Sequence, residues 1–329
     1  MGATESRPVA ASAVPDDLVR QCRPVARAFV NGWIVPFLGA GANLCGRQGT
    51  WKRPGNTLPS GKELARYLAR ECDYPNADSE NLVRVTQYQA TMEGAAPLYR
   101  RLRDVFVNDY EPSPLHRFLA QLPRSLERSF GKPRYQLIVS TNYDDALERA
   151  FRDADQPFDL FAYIAWGKHL GKFVWTPAQG PPEVIDTPGE WVEPILAERP
   201  VILKIHGAID RATSDGDSYV ITEDHYIDFL QRTEIDELIP ASILPALQAA
   251  HFLFLGYGLS DWNLRVILQR IWQQQNHDWS SWAVQHETSP LDQKFWTKRG
   301  VDIQIVDLLA YVQGLEAALE ALAAEDDEE

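Results

Sequence analysis

Four short stretches of the chain carry residues able to do chemistry, and each follows directly on an apolar run. In "FLGAGAN", Gly39 and Gly41 allow a tight turn in which backbone N–H groups can approach a phosphate at a helix start. "STNYDDALE" places Asn142, Asp144 and Asp145 where the run "YQLIVS" stops. "ILKIHGAID" closes on His206 and Gly207, and "FLFLGYGLSDWN" turns at Gly256 and Gly258 before Ser260, Asp261 and Asn263. An amide orients, a carboxylate accepts, and an imidazole can take a proton near neutral pH. If the runs are neighbouring parallel strands, all four ends meet on one rim and a ligand can lie across it.

Each piece also has a plain structural reading. Asn142 as an N-cap, with Asp144 and Asp145 in the first helical turn, would be worth about 0.5–2 kcal/mol to the helix. The glycine pairs could be ordinary turns, His206 a packed strand-end side chain, and Asp261 a helix start. Independent accidents, however, give no reason for all of them to gather at strand ends. Two familiar phosphate motifs are excluded. The dinucleotide fingerprint needs a glycine at 44, where the chain has Leu44. The P-loop-like spacing from Gly55 to Gly61 and Lys62 is one residue too long and continues with Glu63 in place of Ser or Thr.

The elements that must position these residues follow from periodicity. "WIVPFLG", "YQLIVS", "PVILKIHG", "HFLFLGYG", "WAVQH" and "VDIQIVD" read as strands, most of them buried on both faces. Between them, stretches such as "SGKELARYLARECD", "AAPLYRRLRDVFVNDY", "PLHRFLAQLP", "YDDALERAFRDA", "DHYIDFLQRTEIDELI", "DWNLRVILQRIWQQQ" and "LAYVQGLEAALEALAA" carry helical spacing. Alternation of the two predicts an α/β fold: a Rossmann-like, doubly wound, mostly parallel sheet. Residues 1–15 are expected to be a mobile terminus, 16–320 the domain, and 321–329 an acidic tail. Within the domain, about 60–130 reads as a helical insertion. The Pro-, Gly- and aromatic-rich stretch at about 157–199 reads as a packed lid or subunit contact.

Composition narrows the function classes. The 329 residues carry 32 Lys plus Arg against 46 Asp plus Glu, a formal charge of -14, which disfavours direct binding to nucleic acid or an anionic membrane. Three scattered cysteines, Cys22, Cys45 and Cys72, build neither a disulfide framework nor a CxxC zinc pair, and fit a reducing cytoplasm. No run approaches the roughly 18 apolar residues of a membrane span.

Taken in order, "GAGAN", "TNYDDALE", "KIHGAID" and "FLGYGLSDWN" resemble the sirtuin-like NAD-hydrolase family of bacterial antiviral defence, and more distantly the sirtuin deacylases. The resemblance implies a phosphate turn at Gly39, Ala40 and Gly41, with Asn43 and Thr141 also binding the dinucleotide. It implies that Asn142 and Asp144 hold the nicotinamide ribose and carboxamide, that His206 is the active-site imidazole, and that Gly256 and Ser260 cradle the adenosine ribose. It further implies that NAD is the substrate, that no metal is needed, and that activity is controlled by homo-oligomerisation or by a partner such as a HerA-type ATPase. The chain departs from the deacylases in having no cysteine beyond Cys72, hence no zinc ribbon, and in the 157–199 insert between Asn142 and His206. A peptide substrate is therefore the weaker expectation, with a deacylase and a non-catalytic nucleotide-sensing or assembly module as the alternatives.

Overall fold

The computed structural model describes residues 14–131, 133–193, 195–231, 239–259, 265–266, 268–269, 271 and 280–326. Among them the strands are β1 (Ile34–Leu38), β2 (Leu137–Ser140), β3 (Asp159–Tyr163), β4 (Phe173–Thr176), β5 (Glu183–Ile185), β6 (Val201–Lys204), β7 (His251–Leu255), β8 (Ser281–Gln285) and β9 (Val301–Ile305). They form one sheet in the order β5-β4-β3-β6-β2-β1-β7-β8-β9. The run from β3 to β9 is parallel throughout, and only β4 and β5 pair antiparallel at the edge. All six apolar runs singled out in the sequence are strands. Those at the centre are buried on both faces, as parallel strands covered by helices must be.

Helices α1 (Asp16–Asn31), α5 (Pro114–Phe130), α6 (Ala146–Asp153) and α10 (Leu308–Asp326) share an apolar cluster on one face, through Phe29, Leu119, Leu147, Phe151 and Leu315. On the other face Tyr226 and Phe229 of α7 (Glu223–Gln231), Leu247 of α8 (Leu244–Ala249) and Trp296 of α9 (Pro290–Thr297) pack over Phe37, Leu203 and Phe254. The fold is the doubly wound α/β class expected.

Residues 61–106 hold α2 (Gly61–Glu71), α3 (Leu82–Glu93) and α4 (Ala95–Phe106). Their apolar sides, with Leu64, Leu68, Val85, Leu98 and Val105, close a third cluster. That cluster includes Ala146, Ile209, Tyr219 and Ile221, so the three helices lean on the segments that leave β2 and β6. The Glu63 that broke the P-loop pattern belongs to a capping box. Ser60 accepts the Glu63 N–H at 3.2 Å and the Glu63 carboxylate accepts the Ser60 N–H at 2.8 Å.

The aromatic stretch, read as a packed lid or subunit contact, is built into the sheet. It supplies β3, β4 and β5, and Phe161, Tyr163 and Phe173 are core side chains. Trp175 and Trp191 pack on Phe161 and on each other, with ring centroids 5.0–6.3 Å apart. Alternating burial along "DLFAY" is the signature of a strand facing a core on one side. All three cysteines are free and buried. No described helix is long and apolar enough to cross a membrane.

Candidate active site

Strand register decides whether the four strand ends meet. Leu38 pairs with Ser140 and with Leu255, and Ser140 pairs with Lys204. Gly39, Thr141, Ile205 and Gly256 are therefore the next residues on a single rim. β1 lies where the order reverses, with β2, β6 and β3 on one side and β7, β8 and β9 on the other. Such a switch point is where open α/β sheets bind ligands, outside the carboxyl ends of the strands.

At the centre of the rim two glycine turns interlock. Gly39 N–H donates to Leu255 O at 3.1 Å, and Gly41 N–H to Gly256 O at 2.8 Å. Gly256 has φ +65, and a Cβ there would stand 2.1 Å from the Ala42 nitrogen. A Cβ on Gly41 would stand 2.7 Å from Gly256 O. These glycines let two backbones cross in contact. The expected α-helix start is instead a 3-10 turn, Ala40–Leu44, and the Ala42 N–H is returned to Gly39 O at 2.9 Å. Two of the amides assigned to a phosphate are thus engaged within the protein.

Asn142 is not a helix cap. The N-cap of α6 is Asp145, and Asp144 Oδ1 accepts the Ala146 N–H at 3.1 Å. Asn142 is buried and its Nδ2 donates to Gly39 O at 3.1 Å, which ties the end of β2 to the glycine turn. Asn43 Nδ2 donates to Asp144 Oδ2 at 2.8 Å, while Asn43 Oδ1 is buried with no protein partner. Thr141 spends its N–H and hydroxyl on Leu38 O, at 3.0 and 3.3 Å. Asp145 turns away to Arg211, which grips both its oxygens at 2.7 and 2.8 Å. Burial pushes the Asp145 carboxyl up, but Arg211 prevails and holds it below the ordinary range.

His206 is 2% exposed, stands edge-on to Tyr226 and Phe229, and its Nε2 has no protein partner. Burial pushes its pKa down to about 3, so the ring is neutral. The next residue, Gly207, has φ +85, and a Cβ there would lie 2.3 Å from Ser218 O. Gly256 has been placed above, whereas Ser260, with Asp261 and Asn263, lies outside the described residues.

Two buried residues were not singled out from the sequence. Lys204, 1% exposed, extends its Nζ to the carbonyl of Asp144 and to Glu148 Oε1, the latter at 2.7 Å. Its signal was available, since a lysine inside "PVILKIHG" is out of place in a strand buried on both faces. His116 on α5 accepts the Ser113 N–H at its Nδ1, 3.2 Å away. Burial pushes it down to about 4, with the Asp144 carboxylate pulling up and Lys204 pushing down. Nothing in "PLHRFLAQLP" distinguishes it. The two arginines that follow the Gly39–Gly41 turn in sequence, Arg47 and Arg53, are engaged elsewhere. Arg47 is paired with Glu63 at 2.9 Å, and Arg53 reaches Tyr67 Oη and Asp104 O.

A cavity of about 870 Å³ lies along β3 and β4, with Glu148, Arg152, Leu160, Ala162, Val174 and Arg211 among its walls. None of the described residues assigned to the dinucleotide lines it. Of the residues described around the rim, Asp145, Glu148 and Arg211 also line this cavity, and Glu148 Oε2 is buried without a hydrogen-bond partner. Among the described residues no group of three or more His, Cys, Asp or Glu is placed to hold a metal ion.

A parallel sheet with a glycine crossing at its switch point and an Asn, an Asp and a His on the same rim defines a doubly wound protein with its candidate ligand site at the switch point. The sequence profile of the SIR2-like domain matches residues 136–304, just over half of the 329-residue chain, and the chain belongs to that family. Among individual proteins it is similar to defense-associated sirtuin 2 of Bacillus subtilis, 21% identical over 319 residues, which covers 92% of this chain and 26% of that one. It is also similar to the NAD(+) hydrolase ThsA of Enterococcus faecium, 27% identical over 250 residues, covering 75% of this chain and 41% of that one. ThsA of Acinetobacter baumannii is 28% identical over 229 residues, covering 66% and 37%. The chain spans between 26% and 41% of the length of these relatives.

Proposed function

We propose that this chain is an NAD hydrolase, cleaving the nicotinamide–ribose bond to give nicotinamide and ADP-ribose, and that it serves as a regulated NAD-depleting effector in defence against phage. The observation that carries the reading is the pair of buried polar atoms without protein partners, Asn43 Oδ1 and His206 Nε2, on the rim that also holds Asn142 and Asp144. A buried polar atom left unpaired costs about 1–3 kcal/mol, a cost that a polar ligand removes on binding. Two of the relatives are named NAD(+) hydrolases, which supports the reaction class, and the third is named a defense-associated sirtuin, which supports the setting.

In this reading the protein orients more than it protonates, because nicotinamide leaves as a neutral ring. Asn142, its amide plane fixed by Gly39 O, holds a ribose hydroxyl and the attacking water. Each Asp144 oxygen accepts one hydrogen bond from the protein, which leaves acceptor capacity for the N–H groups of a carboxamide. His206, neutral and desolvated, accepts a hydrogen bond from a ribose hydroxyl at Nε2. A pKa near 3 makes it an acceptor first and a full base only if bound substrate raises it. With the Gly39 and Gly41 amides engaged within the protein, Ala40 is the residue of this turn left for the pyrophosphate. Control through homo-oligomers or a partner ATPase belongs to the same proposal.

The test is incubation of the purified protein with NAD, with products separated by chromatography. Release of nicotinamide and ADP-ribose from NAD alone is expected. A requirement for an acylated peptide would point to deacylation, and tight ADP-ribose binding with no turnover would point to a sensor.

A further inference from the structure

Lys204 is the one lysine among the buried side chains of the described core, and it lies two residues before His206 on the strand that delivers the imidazole to the rim. Its ammonium does two things at once. It donates to the backbone carbonyl of Asp144, at the turn that follows β2, and it pairs with Glu148 one turn into α6. Both side chains of the ion pair are almost wholly enclosed, at 2% and 4% exposure. Taking two charges out of water is expensive, and apolar residues of similar volume often serve stability as well or better. Stability alone is thus a poor reason for a charge at this place. The geometry supplies another, because the ammonium joins β6, which carries His206, to the turn that carries Asn142 and Asp144. A few tenths of an ångström between those two segments changes how a ribose fits between them.

We propose that Lys204 is a positioning residue for NAD cleavage: held by Glu148, its ammonium clamps the Asp144 carbonyl and so sets the spacing of the Asn142–Asp144 turn from His206. The inference rests on the NAD-hydrolase reading and adds a residue to it that never touches the substrate. Glu148 is the partner that holds and aims the lysine, and His116 lies in the same electrostatic group, acted on by both Asp144 and Lys204.

The experiment compares the full chain with Lys204→Met and with the double variant Lys204→Met/Glu148→Leu, measuring kcat and KM for NAD alongside the urea unfolding midpoint. The single variant strands a buried carboxylate and can fail to fold. The double variant removes both charges together and is expected to match the wild-type midpoint. Its kcat is expected to fall about 10-fold to 100-fold, the scale for a small misplacement of reacting groups, with KM changed less than about threefold. A double variant with wild-type kcat overturns the inference while leaving the hydrolase reading intact. So does one whose loss is entirely in KM. A wild-type chain that releases no nicotinamide either alone or with the products of neighbouring genes overturns the hydrolase reading and this inference with it.

Discussion

Gly256 and Gly258 look alike in "GYG", yet only one of them is constrained. A Cβ at 256 meets backbone atoms of Gly41 and Ala42 at 2.1–2.8 Å, whereas a Cβ at 258 meets nothing within 4 Å. Gly256→Ala is therefore expected to cost at least about 1–3 kcal/mol, the scale of enforced backbone strain, and to abolish ADP-ribose binding. Gly258→Ala should do neither; urea unfolding and calorimetric titration of the two variants check the contrast. Asn142→Ala and His206→Ala remove side chains from the rim without opening a backbone crossing. Each is expected to lower kcat about 100-fold or more while the fold persists, and a wild-type rate in both variants would refute the assignment. The residues at the four strand ends were legible because polar types interrupt apolar runs. The partner of Asn142 was not, since a cap and a tether to Gly39 O need the same amide in the same place, and only the fold distinguishes them.

Among elements, the strands buried on both faces were the easiest to read, since short, nearly unbroken apolar runs such as "HFLFL" and "YQLIVS" stand out from the polar stretches around them. β3, β4 and β5 escaped because glycines, prolines and indoles suggest loops, while the burial that makes them strands comes from side chains of other elements later in the sequence, such as Leu203 and Phe229. The turn before α2, excluded as a phosphate loop on its spacing, is a helix cap. Ser60→Ala removes that cap and is expected to cost about 1 kcal/mol in urea unfolding at pH 7. An unchanged midpoint would show that Glu63 and Arg47 hold the helix start without Ser60. The 3-10 turn after β1 was likewise beyond the sequence, because it is imposed by the crossing with Gly256 rather than by the helix propensity of "AGANL".

For the whole molecule, acid should be the main liability. His116 and His206 titrate near an ordinary value of 6.5 when unfolded but near 4 and 3 when folded, because burial resists the charged form. Unfolding therefore takes up protons. Stability from this source is intact above about pH 6.5 and falls as pH drops toward the folded values, by about 1.4 kcal/mol per pH unit for each imidazole. Glu63, held down to about 2 against an ordinary 4.5 by Arg47 and backbone N–H groups despite burial, adds to the loss below about pH 4.5 with the same sign. Urea midpoints that stay flat between pH 6.5 and 5 would contradict this, and His116→Gln should shallow the slope there. The acidic surface expected from a formal charge of -14 does not prevent a dianionic ligand from binding, provided that the binding groups are local to the rim. Where such a ligand lies is the claim on which the rest depends: at the rim between Asn142 and His206, or in the cavity of about 870 Å³ along β3 and β4. A crystal structure of the protein with ADP-ribose decides between them. The account predicts a ribose between Asn142 and His206 with the pyrophosphate over the Gly39–Gly41 turn; ADP-ribose lying instead against Leu160 and Arg152, with the rim unchanged, would contradict it.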